Sequence, residues 1–420
     1  MSDFEEYVLG EHIESLSGFP FSSEMFSIED GMPLIRIRDV TDNETPDVFY
    51  QGEYSDLYLV ENDDILIGMD GDFHIVRWKG GEGVLNQRVL KIFEKPNSEL
   101  DMNFVFYWLA DFLPKLNAIT AATTVKHLSV KDIANAVVKA PSKVAQTKIG
   151  KILLTIDNQI DATQALIDKY TAIKQGMMAD LFSRGIDPET NALRPTFEEA
   201  PELYNKTPLG MLPKGWKVIE LENLLDEVTS PMRSGPFGSA LLKEELVSEG
   251  IPLLGIDNIF VERFKASYKR FVTERKFREL SRYAVRERDV VITIMGTVGR
   301  SCVIPESIGL ALSSKHLWTM TFDKEQILPE LVCWQLNHSP WAESWFRRES
   351  QGGVMDAIQS QTLKKLKLVV PSPVEQNAIY ERYENLNNHI EVNQTSLDKL
   401  KLQKTGLMQD LLTGKVPVPA

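Results

Sequence analysis

One long stretch of helix-forming sequence occurs twice in the chain, and this repeat limits the possible folds more than any other feature. The apolar periodicity predicts helices over 142–182 and 372–412. A shift of 230 residues, which places Pro141 on Pro371, superposes the two stretches without a gap. Beyond the pair of Ser142 and Ser372, thirteen residues of the first copy then meet identical residues: Val144, Gln146, Ile149, Asn158, Ile160, Gln164, Asp168, Lys169, Lys174, Gly176, Met178, Asp180 and Leu181.

Both copies carry apolar residues at alternating steps of four and three, which is the heptad spacing of a coiled-coil seam. The predicted seam residues are Ile149, Leu153, Ile156, Ile160, Ile167, Tyr170, Met177 and Leu181, and in the second copy Ile379, Tyr383, Leu386, Ile390, Leu397, Leu400, Leu407 and Leu411. Two further seam positions are polar in both copies: Thr163 with Asn393, and Lys174 with Lys404. Polar seam residues fix the register and the number of partners. About forty residues make a helix of roughly 60 Å. We expect the two helices to pair antiparallel and to hold the preceding domains at opposite ends.

The start of the second helix has a stronger signature than the start of the first. Ser372 suits an N-cap, and Pro373 suits the first helical position. Glu375 stands where a capping box needs its carboxylate. Because the first helix has Ala145 at the matching position, its capping box is predicted to be weaker.

The repeat extends upstream of the helices into sequence typical of strands. Three pairs of segments correspond: 31–40 with 250–259, 60–67 with 285–292, and 85–88 with 312–315. Aromatic helical stretches follow at 103–113 and 331–346. The predicted fold is α+β, with two similar globular domains that are each followed by a long helix, and with the helices paired as an antiparallel coiled coil. The predicted boundaries are a first domain at 1–141, its helix at 142–185, a Pro-rich linker at 186–215, a second domain at 216–371 and its helix at 372–420.

The composition is that of a soluble globular protein with several domains. Cys302 and Cys333 are too few and too far apart for a disulfide framework or a zinc site. No charged and then apolar leader opens the chain, and no apolar run is long enough to span a bilayer. We therefore expect a cytoplasmic protein with no membrane contact.

The net charge of −14 argues at first against a nucleic acid as partner. The charge is uneven, however, because residues 1–64 contain only Arg36 and Arg38 as cations, whereas 262–288 is rich in Arg and Lys. The basic run interleaves its cations with aromatic residues, which suits phosphate contact with some stacking. The alternative is a solvated face whose aromatic side chains point into a core. The overall charge therefore decides little.

No sequence motif marks a catalytic, cofactor-binding or metal-binding site. The sequence has no phosphate loop, no dinucleotide fingerprint, no zinc-protease helix and no nucleophile elbow. The Asn-Pro-Pro-aromatic signature of amino-methyltransferases is also missing, and the six histidines never fall at metal-ligand spacing. We expect no catalytic residue, no cofactor and no metal in this chain.

The candidate nucleic-acid contacts are cations at strand ends and glycine-flanked turns, from which side chains can reach base edges. They are Arg36, Arg38, Arg77, Lys79, Arg88, Arg233, Lys269, Arg270, Arg300 and Lys315.

At its helix ends the chain resembles the specificity subunit of type I restriction-modification systems. The resemblance rests on Lys174-Gln-Gly-Met-Met-Ala-Asp-Leu181, on Lys404-Thr-Gly-Leu-Met-Gln-Asp-Leu-Leu-Thr-Gly-Lys415 and on Pro371-Ser-Pro-Val-Glu-Gln376. The Gly-x-Pro-Leu strands and Leu85-Asn-Gln add to it. It covers essentially the whole chain, and its most specific parts are the helix start and the helix ends.

The resemblance implies that each domain reads one part of a split, asymmetric site on double-stranded DNA and that the helices set the distance between them. It implies two modification (methyltransferase) subunits as partners, with restriction (translocase and endonuclease) subunits in the full complex. S-adenosylmethionine, ATP and magnesium are then expected on those partners, and this chain is expected to be non-catalytic. The expected docking surfaces are near 176–180 and 406–410. Two alternatives remain open: a DNA-modifying enzyme with its own methyltransferase or nuclease activity, and a coiled-coil adaptor that does not bind DNA.

Overall fold

The computed structural model describes residues 4–42, 45–120, 126–350 and 358–418. The helices are α1 (Leu9–His12), α2 (Ile37–Asp42), α3 (Met102–Ile119), α4 (Val130–Ala134), α5 (Lys143–Ser183), α6 (Glu274–Glu279), α7 (Pro329–His338), α8 (Pro340–Ser350), α9 (Ser360–Lys364) and α10 (Pro373–Leu411). The strands before α5 are β1 (Glu5–Val8), β2 (Ile13–Ser17), β3 (Phe26–Ser27), β4 (Met32–Ile35), β5 (Phe49–Tyr50), β6 (Leu59–Val60), β7 (Ile65–Gly68), β8 (Ile75–Arg77), β9 (Gly83–Leu85), β10 (Val89–Glu94) and β11 (Val137–Ala140). The strands after α5 are β12 (Tyr204–Thr207), β13 (Gly210–Pro213), β14 (Lys217–Glu220), β15 (Met232–Ser234), β16 (Ile251–Leu254), β17 (Ile259–Phe260), β18 (Arg263–Phe264), β19 (Phe271–Val272), β20 (Val290–Thr293), β21 (Ser301–Val303), β22 (Leu312–Ser313), β23 (Leu317–Met320) and β24 (Lys367–Val370).

The chain forms two compact units, and each unit contains one globular domain with parts of both long helices. Unit 1 comprises 1–167 and 392–420, and unit 2 comprises 168–391. Helix α5 therefore begins in unit 1 and ends in unit 2, whereas α10 begins in unit 2 and ends in unit 1. We call the globular parts domain 1 and domain 2.

Domain 1 is built on two sheets. The strand order β2-β10-β7-β8 forms an antiparallel sheet, and the order β3-β5-β4-β9-β6 forms a mixed sheet in which β4 and β9 run parallel. Strand β1 pairs with β11 directly before α5. Helix α3 buries Phe104 and Tyr107 in one core with β7, β10 and Leu153 of α5.

Domain 2 repeats this plan. The order β15-β23-β20-β21 forms the antiparallel sheet, β19-β16-β22 contains the parallel pair β16 and β22, and β14 pairs with β24 before α10. Helix α7 buries Leu331 and Trp334 in one core with β20, β23, the end of α5 and the start of α10. The aromatic helical stretches expected at 103–113 and 331–346 are thus helices that attach each domain to the long helices of its own unit.

Backbone hydrogen bonds fix how the two domains correspond. After the parallel strands, the amide of Asn86 donates to the carbonyl of Ile35, and the amide of Ser314 donates to the carbonyl of Leu254, each at 3.1 Å. The carbonyl of Arg88 accepts from the amide of Met69, directly after β7, and the carbonyl of His316 accepts from the amide of Ile294, directly after β20. The alignment of 85–88 with 312–315 is therefore wrong by one residue, because strands of two or three residues carry no periodicity that fixes register. Gln87 corresponds to Lys315, and Arg88 corresponds to His316.

The predicted antiparallel pairing of the helices is confirmed within each unit. In unit 1, Leu411 shares a core with Ile149, and Nζ of Lys404 lies 2.6 Å from Oδ1 of Asp157. Residue numbers thus fall along α10 as they rise along α5. In unit 2, the core likewise joins residues from the end of α5 to residues from the start of α10. These residues are Met178, Leu181, Phe182, Ile379 and Tyr383.

All the predicted seam residues are buried or half-buried. The polar positions Lys174 and Lys404 are half-buried too. Nζ of Lys174 lies 4.7 Å from the ring centroid of Tyr383, and Nζ of Lys404 lies 5.6 Å from that of Tyr107. Each seam lysine therefore has its charge over an aromatic ring of its own unit.

A buried glutamine attaches the start of each long helix to its domain. Nε2 of Gln146 donates to the carbonyls of Pro141 and Glu99, and its Oε1 accepts from the amide of Asp101 at the start of α3. In unit 2, Gln376 repeats all three bonds. Its partners are the carbonyls of Pro371 and Gln326 and the amide of Leu328, at the start of α7. The identity of these two residues under the shift of 230 thus has a physical cause.

The capping box predicted for Glu375 is wrong. Ser372 and Pro373 do occupy the N-cap and the first helical position, but the carboxylate of Glu375 is only 2% exposed and turns towards the segment 186–216. It accepts hydrogen bonds from the amide of Ile186 (2.7 Å), Nη2 of Arg194 (3.2 Å) and Nε1 of Trp216 (2.8 Å).

The segment predicted as a linker, 186–215, carries the hairpin of β12 and β13. Its Ile186 and Leu212 lie in the core of unit 2. Together with the bonds to Glu375, these contacts hold the segment against α10. The hairpin strands are only four residues long, which is too short to show in the sequence pattern.

No helix in the described ranges is both long enough and apolar enough to cross a membrane.

Candidate nucleic-acid interface

In each domain, the ends of two parallel strands bring distant chain segments to one edge of a sheet. In domain 1 the segments 36–39 and 86–88 follow β4 and β9. In domain 2 the segments 255–258 and 314–316 follow β16 and β22. We call these pairs of segments the strand-end edges of domains 1 and 2. A rigid sheet that positions exposed loop side chains in this way is a common design for binding sites.

At the strand-end edge of domain 1, two arginines share one aspartate. The amide of Arg36 donates to Oδ2 of Asp39 (2.8 Å), which fixes the turn into α2. The guanidinium groups of Arg36 and Arg38 both donate to Oδ1 of Asp47. The hydrogen bond from Arg38 lowers the pKa of the Asp47 carboxyl, so the carboxylate stays charged and partly neutralises the two arginines.

Arg88 occupies the other half of this edge. Its backbone is left-handed, with φ of 73°, and Nη1 lies 3.2 Å from both carboxylate oxygens of Asp70. Oδ1 of Asp70 is also 2.7 Å from Nδ1 of His127. The exposed guanidinium of Arg88 therefore also has an aspartate beside it.

In domain 2, a guanidinium reaches the matching place from the loop before β19. The amide of Gly255 donates to Oδ1 of Asn258 (2.9 Å), as Arg36 does to Asp39. A Cβ on Gly255 would clash with Nη2 of Arg270, and this nitrogen donates to Oδ1 of Asp257. The guanidinium of Arg270 thus fills the space that a side chain at 255 would need.

Ser314, Lys315 and His316 complete the strand-end edge of domain 2. Ser314 is buried, and Lys315 is exposed. Nδ1 of His316 is 3.3 Å from Sδ of Met295. Burial lowers the pKa of His316, and the positive charges of Lys315 and Arg270 lower it further. In the part of the chain that the structure describes, neither Lys315 nor His316 has a carboxylate partner.

Two predicted contacts in domain 1 lie away from its strand-end edge. Arg77 donates to Oδ1 of Asn103 (2.7 Å) and lies over the ring of Phe106, at 5.3 Å. Lys79 bonds Asp161 of α5. Both cations therefore connect domain 1 to helices of unit 1.

In domain 2, Lys269 and Arg300 are exposed. Nζ of Lys269 lies 3.9 Å from Oδ2 of Asp257, which places it beside Arg270. Arg300 lies on the turn between β20 and β21. Contact of Lys269 and of Arg300 with nucleic acid remains a prediction.

The prediction for Arg233 is a case that the structure corrects. The residue is 4% exposed, and its guanidinium donates to Asp289 and to the carbonyl of Ala284 (2.7 Å). Burial lowers the pKa of Arg233 and raises the pKa of Asp289. Because separating a buried pair leaves an uncompensated charge, Arg233 has a structural role, and its burial argues against the predicted DNA contact.

Sequence reasoning missed Ser314 and His316 as members of the edge. Neither residue type stands out in a search for cations. The signal that could have found them is position, because both directly follow a short apolar strand that pairs parallel with the Gly-x-Pro strand. Only the hydrogen bonds of the folded chain show that Ser314 corresponds to Asn86 and His316 to Arg88.

Among the described residues, no cluster of three or more His, Cys, Asp or Glu could hold a metal ion. Cys302 and Cys333 are free and buried, and burial raises the pKa of the Cys302 thiol to about 12.

The geometry defines a class of protein: two similar units, each with an α+β domain that packs on an antiparallel pair of long helices and presents arginine or lysine side chains at one sheet edge. The family model described as the type I restriction modification DNA specificity domain matches residues 1–171 and 213–402. These two matches span most of the sequence, so the chain belongs to this family.

Two relatives from distant organisms are similar over most of the chain. The specificity subunit of the type I restriction enzyme EcoBI from Escherichia coli is 27% identical over 401 residues, which cover 94% of this chain and 82% of the relative. The MjaVIII specificity subunit from Methanocaldococcus jannaschii is 24% identical over 368 residues, covering 86% of this chain and 80% of the relative.

Solved structures share the fold. The crystal structure of a type I restriction-modification S subunit from M. genitalium has a TM-score of 0.65 at 15% identity, and the match covers 99% of this chain and 97% of that one. A chain from a study of the assembly and conformational transition of the type I R-M system has a TM-score of 0.50 at 13% identity, with coverage of 98% and 97%.

Proposed function

We propose that this chain is the DNA-specificity subunit of a type I restriction-modification complex and that it recognises a bipartite, asymmetric DNA target. Membership of the specificity family supports this function. The observation that carries the proposal is a repeated scaffold with different side chains. Domains 1 and 2 form the same strand-end edge, yet one carries Asn86, Gln87 and Arg88 and the other carries Ser314, Lys315 and His316. Different side chains on one scaffold suit two different half-sites.

In this proposal, α5 and α10 set the length of a DNA spacer that the protein does not read. The helices are 41 and 39 residues long, so each is about 60 Å long at ~1.5 Å per residue. A continuous helix is stiff enough to act as a ruler, and its pairing in each unit keeps it in one register.

We propose that two methyltransferase subunits dock near 176–180 and 406–410. Gly176 and Gly406 lie inside the helices at matched positions, and outside their own helical turns no described atom lies within 4 Å of where their Cβ atoms would be. A glycine inside a helix costs ~1 kcal/mol relative to alanine. No contact within either unit requires a glycine at these positions. Close approach of a partner subunit would explain why both are glycine.

The chain is non-catalytic and cytoplasmic in this proposal, and restriction subunits join the full complex. S-adenosylmethionine, ATP and magnesium are bound by the partner subunits. The sequence supports this division of labour because it carries no motif for any of the three. Binding of S-adenosylmethionine to the purified chain would instead favour an enzyme with its own methyltransferase activity.

The test of the proposed function is a genome-wide map of modified bases in cells that express this chain with its cognate modification subunit. We expect one split motif with two short specific parts and a fixed spacer. Cells that express the modification subunit alone are the control and should lack the motif. A continuous motif, or no motif that depends on this chain, would contradict the proposal and favour a coiled-coil adaptor.

The ruler is tested by inserting one heptad into each long helix at facing positions. Seven residues add about 10 Å, which corresponds to roughly three base pairs at 3.4 Å each. We expect a spacer about three base pairs longer with both half-sites unchanged. An insertion into α5 alone is the control, because it breaks the pairing of the seam. Altered half-sites with an unchanged spacer would show that the helices do not measure the distance.

A further inference from the structure

A recessed cavity of about 310 Å³ opens at the strand-end edge of domain 2. Its polar side is formed by Lys243, Arg270, Ser314, Lys315 and His316, and its apolar side includes Leu241 and Leu246. The polar residues come from the segment between β15 and β16, from the loop before β19 and from the turn after β22. The cavity therefore lies where the parallel strands of domain 2 end.

Two residues that line this cavity each carry a buried hydrogen-bonding atom without a partner among the described residues. Oγ of Ser314, a residue that is 7% exposed, has no hydrogen-bond partner among the described residues, and neither has Nε of Arg270. Buried polar groups nearly always have partners in folded proteins, so each of these two calls for an explanation. A bound ligand that offers hydrogen-bond acceptors would satisfy both groups at once.

The lining also defines the charge of such a ligand. Lys315 and Arg270 contribute positive charge, and Asp257, the carboxylate nearest to Arg270, already accepts from that guanidinium. The cavity thus offers donors and positive charge, and the complementary ligand is an anion rich in acceptor oxygens.

The recessed shape decides which part of a DNA duplex fits. Base edges lie at the floor of the grooves, and a protein reads them with side chains that protrude. Phosphates form the outer surface of the duplex and can enter a concave site lined by donors. The apolar side of the cavity would then face the neighbouring deoxyribose.

We propose that this cavity binds one phosphodiester group of the DNA that domain 2 recognises; the inference rests on the function proposed above. Lys315 contributes charge, and Oγ of Ser314 and Nε of Arg270 donate to the non-bridging oxygens. Asp257 holds Arg270 in place, and Gly255 leaves room for its guanidinium.

The described residues of domain 1 form no equivalent of this anchor. At the positions that match Ser314, Lys315 and His316 it carries Asn86, Gln87 and Arg88, and the guanidinium of Arg88 is bound to Asp70. Asp257 lies beside Arg270 in domain 2 as well, but Lys315 adds a positive charge there, whereas the matching Gln87 is uncharged. Domain 2 is therefore expected to supply a fixed backbone contact that domain 1 lacks.

The deciding experiment measures DNA affinity of the complete complex with its modification subunits. Each phosphate of the second half-site is replaced in turn by an uncharged methylphosphonate, and the wild type is compared with Lys315→Ala. We expect one linkage at which the replacement weakens wild-type binding roughly tenfold, as for loss of a hydrogen bond to a charged group. At that linkage alone, Lys315→Ala should add little further loss. If every linkage gives additive losses, the cavity does not bind a phosphodiester.

Two single variants and a matched control extend the test. Lys315→Ala should weaken binding to all targets alike and reduce the slope of log affinity against log salt by about one. Ser314→Ala should weaken binding a fewfold, with an unchanged melting temperature and an unchanged target motif. Gln87→Ala, at the position in domain 1 that matches Lys315, should leave the salt slope unchanged.

Each other outcome has a distinct meaning. Relaxed specificity at one base pair in Lys315→Ala would show that the cavity reads a base, which overturns the phosphate anchor but leaves the proposed function intact. If inorganic phosphate binds in the cavity but the losses from methylphosphonate and Lys315→Ala are additive at every linkage, the cavity is a site for the free ion. This result would also overturn the anchor. If the wild-type complex shows no preference for any split target, the proposed function itself fails.

Discussion

Domains 1 and 2 share one backbone design but differ in how far aspartates neutralise the positive charge on it. At the strand-end edge of domain 1, Arg36, Arg38 and Arg88 are each bonded to an aspartate. At the matching edge of domain 2, Arg270 is bonded to Asp257, but Lys315 and His316 have no carboxylate partner among the described residues. The edge itself is fixed by backbone hydrogen bonds, which are the same in both domains. Side chains on such an edge can change without loss of the fold, as two different DNA half-sites require.

The attachments of the long helices show a second contrast. The glutamine at the start of each helix makes equivalent bonds in both units. The residue before it differs, because Glu375 binds the segment 186–216 whereas Ala145 is simply buried. The seam lysines also differ, since Lys174 reaches the buried Glu262 and Lys404 reaches the more exposed Asp157. Unit 2 therefore depends on buried charge more than unit 1 does.

The largest expected effect is at Glu375. In Glu375→Ala the guanidinium of Arg194, Nε1 of Trp216 and the amide of Ile186 lose their acceptor. Loss of one member of a buried ion pair costs about 3–5 kcal/mol, and we expect a fall of this size in the free energy of unfolding, measured in urea. Glu381→Ala, at an exposed position of the same helix, is the control and should change it by less than about 0.5 kcal/mol. If Glu375→Ala lowers the free energy of unfolding by less than about 1 kcal/mol, this contrast between the units does not hold.

The seam lysines sharpen the contrast. The side chain of Lys174 is 14% exposed and bonds Glu262, which is 10% exposed, whereas Lys404 and Asp157 are 30% and 24% exposed. We expect Lys174→Met to lower the free energy of unfolding by about 3 kcal/mol, because it leaves a buried carboxylate. The matched Lys404→Met should cost about 1 kcal/mol. Equal losses in the two variants would contradict the assignment of the buried charge to unit 2.

Variants of Gln146 and Gln376 test the helix attachment that is equivalent in the two units. Gln146→Ala and Gln376→Ala each remove three hydrogen bonds, and we expect each to cost about 2 kcal/mol. Hydrogen exchange should accelerate in the first turn of α5 in one variant and of α10 in the other. Losses that differ by more than about 1 kcal/mol would show that the two attachments are not equivalent.

The smallest effect is a pH dependence at Glu262, the partner of Lys174 in unit 2. Burial alone would raise the pKa of Glu262, but the hydrogen bond from His338 and the charge of Lys174 lower it overall. A carboxyl whose pKa is lower in the folded state stabilises the fold above its unfolded pKa, and this contribution disappears as the pH falls through the folded pKa. We therefore expect the stability difference between wild type and Glu262→Gln to shrink below the ordinary carboxyl pKa of 4.5. If the difference in the free energy of unfolding between wild type and Glu262→Gln instead grows as the pH falls, the pKa of Glu262 is not lowered in the folded state.

The long helices could be predicted almost to the residue, whereas the binding edges could not. The heptad pattern and the gapless repeat fix α5 and α10, because helix periodicity is visible over forty residues. The register of β9 and β22 was missed by one residue, since strands this short have no pattern of their own. Arg233 and Glu375 were misjudged because their partners, such as Asp289 and Trp216, are distant in sequence and come together only in the folded chain.

The same limit applies to the cavity in domain 2. Its lining joins residues 236–246, 270 and 314–316. A search for basic residues finds Arg270 and Lys315 but not the buried hydroxyl of Ser314. Shape and burial, which distinguish a phosphate site from a base-reading site, exist only in the folded domain.

The central claim is that two domains on one scaffold read DNA separately, and a domain exchange tests it most directly. Residues 31–119 are replaced by the corresponding segment of a family member with a different target, and modified bases are mapped in cells that also express the modification subunit. The account predicts a new first half-site, with the second half-site and the spacer length unchanged. A change in both half-sites, or in neither, would contradict it.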